Sequence, residues 1–389
     1  MPGAPVRVAF STTVRDRANA TATLDGIARY TAELSEGLAA MADVELFPFV
    51  LAPEKLSTAG GAGTPLGSFK LQALCALLSG MPFPMVQRRL AGVADLVHST
   101  DHFIPKLRGI PVVATLHDAI PLSHPEWINY SFKSAKNALW RKSAQWADHI
   151  ITVSEHSKRE ISRWFDIPPE RITVTPLGVD ARWAQDVPED EIERVRSFYR
   201  LPPRFVLFLG TLQPRKNIAR LIAAHRRLPD ALRREAPLVV AGRAGWLCGN
   251  EIATLRNGDG DTLRYLDHVL EADLLPILKQ ASVFALPSLH EGFGLPILEA
   301  FAAGTPVVAS TAGSIPEVAG SAAMLFDPSD IKAMADAMQT CLEDAALADS
   351  FRELGRARAK EFPWARTAEL TLATYEKVLG LGQPAGSLT

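Results

Sequence analysis

Short apolar, β-branched runs alternate with helix-length stretches along this chain, and no other feature limits its fold as strongly. The first half gives VRVAF, VELFPFV, DLVHST, VVATLHD, HIITVS and ITVTPLG; the second gives FVLFLG, PLVVAG, TLRYLDHV, VFALPS, PVVAST and AAMLFD. Runs that are apolar throughout belong to strands covered on both faces, which means parallel sheets flanked by helices. The stretch at 181–203 is charged and bounded by prolines, and reads as a linker carrying one helix. The expectation is an α/β protein of two doubly wound domains in series. The length of 389 residues and a hydrophobic content of 47% suffice for two cores.

Charge and cysteine usage narrow the function. A formal net charge of −2 argues against a protein whose whole surface binds nucleic acid. Residues 55–163, however, carry 13 Lys/Arg against 7 Asp/Glu, an excess of six. A solvated face explains this excess, and so does a surface for anionic lipid or a phosphorylated substrate. Cys75, Cys248 and Cys341 form no C-x-x-C, so neither a disulfide framework nor a zinc site is expected, and a reducing compartment is. VRVAF follows the first residues with no secretory leader pattern, and no uninterrupted 18-residue apolar stretch occurs. The most apolar segment, LQALCALLSGMPFPM at 71–85, reads as core rather than as an interfacial anchor.

Two strings carry chemistry. LGTLQPRKNI (209–218) follows a strand and opens a helix, with Gly210 allowing the turn and Asn217 in N-cap position. Arg215 and Lys216 beside a helix N-terminus make an anion site, unless they are an ordinary solvated pair. They are expected in an exposed loop, so their loss should barely touch stability. In EGFGLPILEA (291–300), Gly292, Phe293 and Gly294 form a tight loop, Pro296 suits a first helical turn, and Gly304 ends that helix. Glu291 then sits beyond a strand and Glu299 about one turn into the helix. Both are suited to accept hydrogen bonds from sugar hydroxyls, or are merely capping and surface carboxylates. Asp259 and Asp261 in NGDGDTL read as a turn rather than a metal site. His98 and His102 lack a third ligand, so no metal is expected.

EGFGLPILEA with GTLQPRKN resembles the retaining glycosyltransferases of the GT-B fold, family GT4. GIARYT, TLHDAIPL, ITVSEHSKREI, PLGVD, VVAGRAGW and FPWARTAELTLATYEKVL extend the resemblance, in order, over nearly the whole chain. It implies two Rossmann-like domains facing a central cleft. The acceptor domain would comprise residues 1–182 plus a returning helix at 365–389, and the nucleotide-sugar domain residues 201–364. By position it implies that Glu291 lies near the donor sugar hydroxyls, that Glu299 bonds the ribose, and that Arg215 and Lys216 bind the diphosphate. Gly210 and the backbone of Gly292, Phe293, Gly294 and Leu295 would meet the donor, and Val269 would read the base. Asp267 and His268 replace the family's usual glycine and tyrosine there.

His117 closes VVATLHD, and the resemblance places it against the donor sugar, making His117, Glu291, Arg215 and Lys216 the catalytic set. Gly26, Arg29, Tyr30 and Asp118 fall on the acceptor side. TTVRDRANATATL (12–24) reads as a long loop forming a flap, and Ser154 as a helix cap. GRAGW with GIARYT resembles bacterial mannosyltransferases of surface-polysaccharide synthesis. This implies GDP-mannose as donor, a polyprenyl-linked or oligosaccharide acceptor, no cofactor, and a cytoplasmic protein in peripheral contact with the inner face of the membrane. A sugar-nucleotide epimerase of the same fold and a non-catalytic two-domain sugar-binding protein are the alternatives.

Overall fold

The computed structural model describes residues 4–21, 26–52, 63–258 and 261–381. The chain forms two compact units: Met1–Ser123 with Tyr130–Gly178 and Trp364–Thr389, and His124–Asn129 with Val179–Pro363.

The first unit is built on seven parallel strands: β1 (Val6–Ser11), β2 (Val44–Val50), β3 (Thr64–Pro65), β4 (Leu96–Ser99), β5 (Val112–Thr115), β6 (His149–Thr152) and β7 (Ile172–Val174). Their spatial order is β3-β2-β1-β4-β5-β6-β7. The second unit has β8 (Val206–Leu209), β9 (Leu238–Ala241), β10 (Leu263–Leu266), β11 (Val283–Leu286), β12 (Val307–Ser310) and β13 (Met324–Phe326), in the order β10-β9-β8-β11-β12-β13. Every residue of β4, β5, β6, β8, β9, β11 and β12 is buried, as continuous apolar runs require of strands covered on both faces. The order of each sheet reverses beside its first strand. Such reversals lie between β1 and β4 and between β8 and β11, and crevices at the carboxyl ends of those strands are where doubly wound sheets hold ligands.

Three local expectations are corrected. Residues 12–24 are not simply a flap, since Thr13–Thr21 is a helix. Tertiary bonds hold its first turn: Thr13 Oγ1 accepts from Leu51 N at 3.0 Å, and Asp16 accepts from Thr12 Oγ1 at 3.1 Å and Gly63 N at 3.2 Å. The segment 71–85 is only half core. In the helix Phe69–Ser79, Phe69, Gln72, Ala73 and Ala76 are buried, whereas Leu71, Leu74, Leu77 and Leu78 are exposed. Asn217 stands at the start of the helix Ile218–Arg226 but is left-handed (φ 60°) and makes no cap bond; its amide donates to Pro287 O at 3.0 Å and Pro328 O at 2.8 Å.

The returning helix Trp364–Leu379 joins the first unit through a buried polar chain. Tyr375 Oη is 2.6 Å from His98 Nδ1, His98 Nε2 is 2.8 Å from Thr115 Oγ1, and Thr115 Oγ1 is 2.8 Å from Tyr30 Oη. His98 is therefore structural. Burial, aided by His117, pushes its imidazole down to about 3. An unfolded histidine takes its proton near ~6.5. Between these values only the unfolded chain binds the proton, so His98 contributes fully above ~6.5 and its contribution falls as the pH drops. Stability should lose about 1.4 kcal/mol per pH unit from this group below pH ~6. Urea unfolding at stepped pH should give a steeper acid slope for the native chain than for His98→Asn; equal slopes would refute the assignment.

Candidate active site

In the second unit, β8 and β9 end level, with Leu209 opposite Ala241. Gly210 and Gly242 follow in conformations with positive φ, 145° and 148°. A Cβ on Gly242 would lie 2.0 Å from Gly210 O, so only glycine lets the two turns touch. The loops remain zipped beyond this point: Gly245 N donates to Leu212 O at 2.9 Å. A short 3₁₀ turn, Pro214–Lys216, then delivers Arg215 and Lys216 at the reversal of the sheet.

Across that reversal, the loop after β11 carries Ser288, His290 and Glu291 to meet them. Glu291 is 6% exposed. Its Oε1 accepts from Lys216 Nζ at 2.7 Å and Ser288 Oγ at 2.7 Å, and its Oε2 accepts from Arg215 Nη1 at 2.5 Å. One backbone bond and one side-chain bond fix the two loops to each other: Leu289 N donates to Arg215 O at 2.7 Å, and Arg215 Nη1 donates to His290 O at 3.0 Å. Ser314 Oγ bonds Glu291 O at 3.0 Å and Phe293 O at 2.8 Å, clasping the glycine-rich loop, while Ser310 Oγ donates to Ser288 O at 2.6 Å. Gly294 (φ 108°) caps the helix Leu295–Ala303, Pro296 lies in its first turn, and Gly304 closes it in left-handed conformation.

The electrostatics follow. Burial alone would raise the Glu291 carboxyl, but the Arg215 and Lys216 charges and the Lys216 and Ser288 hydrogen bonds outweigh it and hold the group well below the usual carboxylate range. Glu291 is thus an ionised acceptor. Three of its roughly four lone-pair positions are taken by described residues. Burial holds the Lys216 ammonium below its ordinary value, with the Arg215 charge acting in the same direction, and Glu291 and, more weakly, Glu299 offset only part of this. The expectation that both cations lie in an exposed loop is wrong for Lys216, which is 6% exposed, and only partly right for Arg215, which is part-buried. Glu299 is half-buried on the helix, near enough for its charge to be felt at Lys216. Leu295 opens that helix, Phe293 is buried with its ring 6.0 Å from that of Phe362, and Val269 is half-buried after β10. Asp267 accepts from Tyr265 Oη at 2.8 Å. Asp259 lies outside the described residues, and Asp261 is exposed.

In the first unit, β5 ends at Thr115 and His117 lies two residues further on. His117 Nε2 is 3.4 Å from Thr100 O, and its backbone carbonyl accepts from Ser157 Oγ at 3.0 Å. Ser154 caps the helix Glu155–Phe165 through Ser157 N. Tyr30 is fully buried and presents its ring edge to His117 at 4.7 Å, so it supports His117 and does not face an acceptor. Asp118 Oδ1 accepts from Ile120 N at 2.9 Å, a local turn bond. Gly26 is exposed at the start of the helix Gly26–Ala39, with Arg29 half-buried one turn on. Sequence reasoning missed Gly242, Ser288 and Ser314. Ser288 was within reach, three residues before Glu291 at a strand end.

Comparison with known proteins bears on the family and the fold. Residues 189–358 match the family model "Glycosyl transferases group 1", and residues 24–183 match "Glycosyltransferase Family 4". The chain is 32% identical over 375 residues to O-antigen chain mannosyltransferase B of Escherichia coli, covering 91% of this chain and 96% of that protein. It is 32% identical over 290 residues to the MMP α-(1→4)-mannosyltransferase of Mycolicibacterium hassiacum, covering 70% and 66%. Among solved structures, HepE of Anabaena in complex with UDP-glucose superposes with a TM-score of 0.71 at 18% identity over 95% of this chain and 99% of that one. WaaG, a glycosyltransferase involved in lipopolysaccharide biosynthesis, gives 0.66 at 17% identity over 96% and 99%. With two parallel six- and seven-stranded sheets, paired family models end to end and a relative aligned over nearly its whole length, this chain belongs to glycosyltransferase family 4 and has the GT-B fold.

Proposed function

We propose that this glycosyltransferase moves mannose from GDP-mannose, with retention of configuration, to a polyprenyl-linked or oligosaccharide acceptor in surface-polysaccharide synthesis. One observation carries the reading: Arg215 and Lys216 are held at the sheet reversal by a buried, ionised Glu291. Mannose as the sugar is supported by the identity to the O-antigen chain and MMP mannosyltransferases.

Transfer requires the departing diphosphate to be stabilised as negative charge develops on its oxygen. Arg215, Lys216 and the N–H groups that open the helix Leu295–Ala303 supply this stabilisation, with Gly292, Phe293 and Gly294 bringing backbone close to the donor. Gly210 leaves room beside the phosphates, Glu299 takes the ribose hydroxyls, and Val269 meets the base. Glu291, acceptor-only and bound by both cations, positions a sugar hydroxyl and does not attack the anomeric carbon. The acceptor oxygen attacks from the face the diphosphate leaves, and its proton passes to that leaving phosphate. From the first unit, His117 serves the reacting sugar, and Gly26, Arg29 and Asp118 serve the acceptor. We assign the charge stabilisation to these side chains and helix ends rather than to a metal ion.

The test has two arms. In a panel of sugar nucleotides, GDP-mannose should raise the thermal midpoint most. Released nucleoside diphosphate should rise when acceptor is added and persist in EDTA. Preferential stabilisation by a UDP-sugar would overturn the donor. Loss of transfer in EDTA, restored by Mg²⁺ or Mn²⁺, would overturn the metal-free reading. Isomerised sugar nucleotide without release would favour an epimerase.

A further inference from the structure

The helix Phe69–Ser79 and the helix Pro84–Leu90 are apolar on two sides. Their inner side enters the core of the first unit through Phe69, Ala73, Ala76, Phe83, Val86 and Leu90. On the outer side, Leu78 is 81% and Leu71 68% exposed, with Leu74, Leu77, Met81 and Met85 also exposed. Leu71, Leu74, Cys75 and Leu78 recur at helical spacing, so they form one continuous face. A helix of a water-soluble domain normally turns a polar face outward, and an apolar outer face marks a surface that something covers.

Charge indicates the covering. Between Glu54 and Asp95 the sequence contains no acidic residue, while it contains Lys55, Lys70, Arg88 and Arg89. Lys70, Arg88 and Arg89 are exposed. The loop at 106–108 adds to the basic rim: Lys106 Nζ donates to Gly80 O at 2.7 Å, and Gln87 exchanges two bonds of 2.9 Å with the Arg108 backbone. An apolar face flanked by these basic residues is complementary to an anionic bilayer, whose acyl region takes the leucines and whose headgroups take the cations. The pair does not cross the membrane. No single helix among the described residues is long and apolar enough to do so, the two helices are bent by 104°, and their inner side is already core.

We propose that the outer face of these two helices is a membrane-docking element that lies in the interface of an anionic bilayer. The inference goes beyond the donor and acceptor assignment, and docking can be measured without turnover. Cys75 is exposed on this face while Cys248 and Cys341 are buried, so the native chain accepts a single environment-sensitive fluorophore where contact is expected. The labelled protein is mixed with vesicles of phosphatidylcholine alone, or of three parts phosphatidylcholine to one part phosphatidylglycerol, at low and high salt. The expected result is co-sedimentation with the mixed vesicles at low salt, with a blue-shifted emission. Leu71→Ser/Leu74→Ser/Leu78→Ser should weaken partitioning at least tenfold, and Arg88→Glu/Arg89→Glu should abolish it on mixed vesicles while leaving the thermal midpoint unchanged. The charge variant keeps the test decisive should the leucine variant fold poorly. Absence of sedimentation with either vesicle would overturn the proposal, as would binding with the emission still aqueous. A blue shift without vesicles that tracks a concentration-dependent dimer would instead assign the face to a second copy of the chain.

Discussion

Lys216→Met should lower transfer ~100-fold or more and also destabilise the second unit by ~3–5 kcal/mol. The two losses have different causes. The first follows from the proposed role, as removal of positive charge from the place where the diphosphate would leave. The second follows from Lys216 and Glu291 being 7% and 8% exposed at the side chain, so that losing the ammonium strips a buried carboxylate of one of its two cations. Arg215→Ala should lose comparable activity but less stability, because its guanidinium is 19% exposed. The double variant Lys216→Met/Glu291→Met separates the causes. Removing both charges together should recover most of the stability, since a buried pair is costly to break but cheap to replace with apolar groups. It should recover no activity. The measurements are turnover and the urea midpoint at constant slope. A fully active Lys216→Met would remove Lys216 from the reaction, and an unchanged midpoint would mean that the pair is not a structural contact.

The fold was legible because it rests on the most local of signals. Four of the six strands of the second unit, β8, β9, β11 and β12, come from apolar runs and are buried throughout, as only a sheet covered on both faces allows. The strand missed, Thr64–Pro65, is two residues long and has no such run. The helix Thr13–Thr21 was missed because its threonines, valine, aspartate and asparagine are weak helix formers that offset its alanines and arginines. Its anchors, Leu51 and Gly63, lie far along the chain, so tertiary bonds decide the outcome. At the site, the residue types were legible and their burial was not. Lys216 looks like a loop cation until Glu291, 75 residues later, is seen to face it. The cost of burying the Lys216 charge is offset by Glu291, and no sequence window contains both. The same limit applies to Tyr30, a helix residue whose hydroxyl is engaged by Thr115 at the end of β5, 85 residues later. The segment 71–85 shows a different limit. Hydropathy records that a helix is apolar but not that only half of it meets the core.

Glu291→Gln and Glu299→Gln should separate in opposite directions, and this is the sharpest test of the two carboxylates. Glu291 holds both cations at 2.5 and 2.7 Å, so its charge competes with any diphosphate that approaches them. Neutralising it leaves Arg215 and Lys216 with more positive charge to offer. Free GDP should therefore bind Glu291→Gln at least as tightly as the native chain, while turnover falls ~100-fold or more, from loss of the group that orients the reacting sugar. Glu299→Gln should behave conversely, binding GDP more weakly by ~1–3 kcal/mol as a charged hydrogen bond to the ribose is lost. Its turnover at saturating donor should change little, because the ribose contact is the same in ground and transition states. Calorimetry with GDP and steady-state kinetics read both quantities, and thermal midpoints check that each variant is folded. Weaker GDP binding by Glu291→Gln would mean that this carboxylate serves the nucleotide rather than the sugar. Unchanged GDP binding by Glu299→Gln would remove the ribose from its role. If both variants lost affinity and turnover in proportion, the two glutamates would act as one structural unit with the cations, and the division of labour between them would fail.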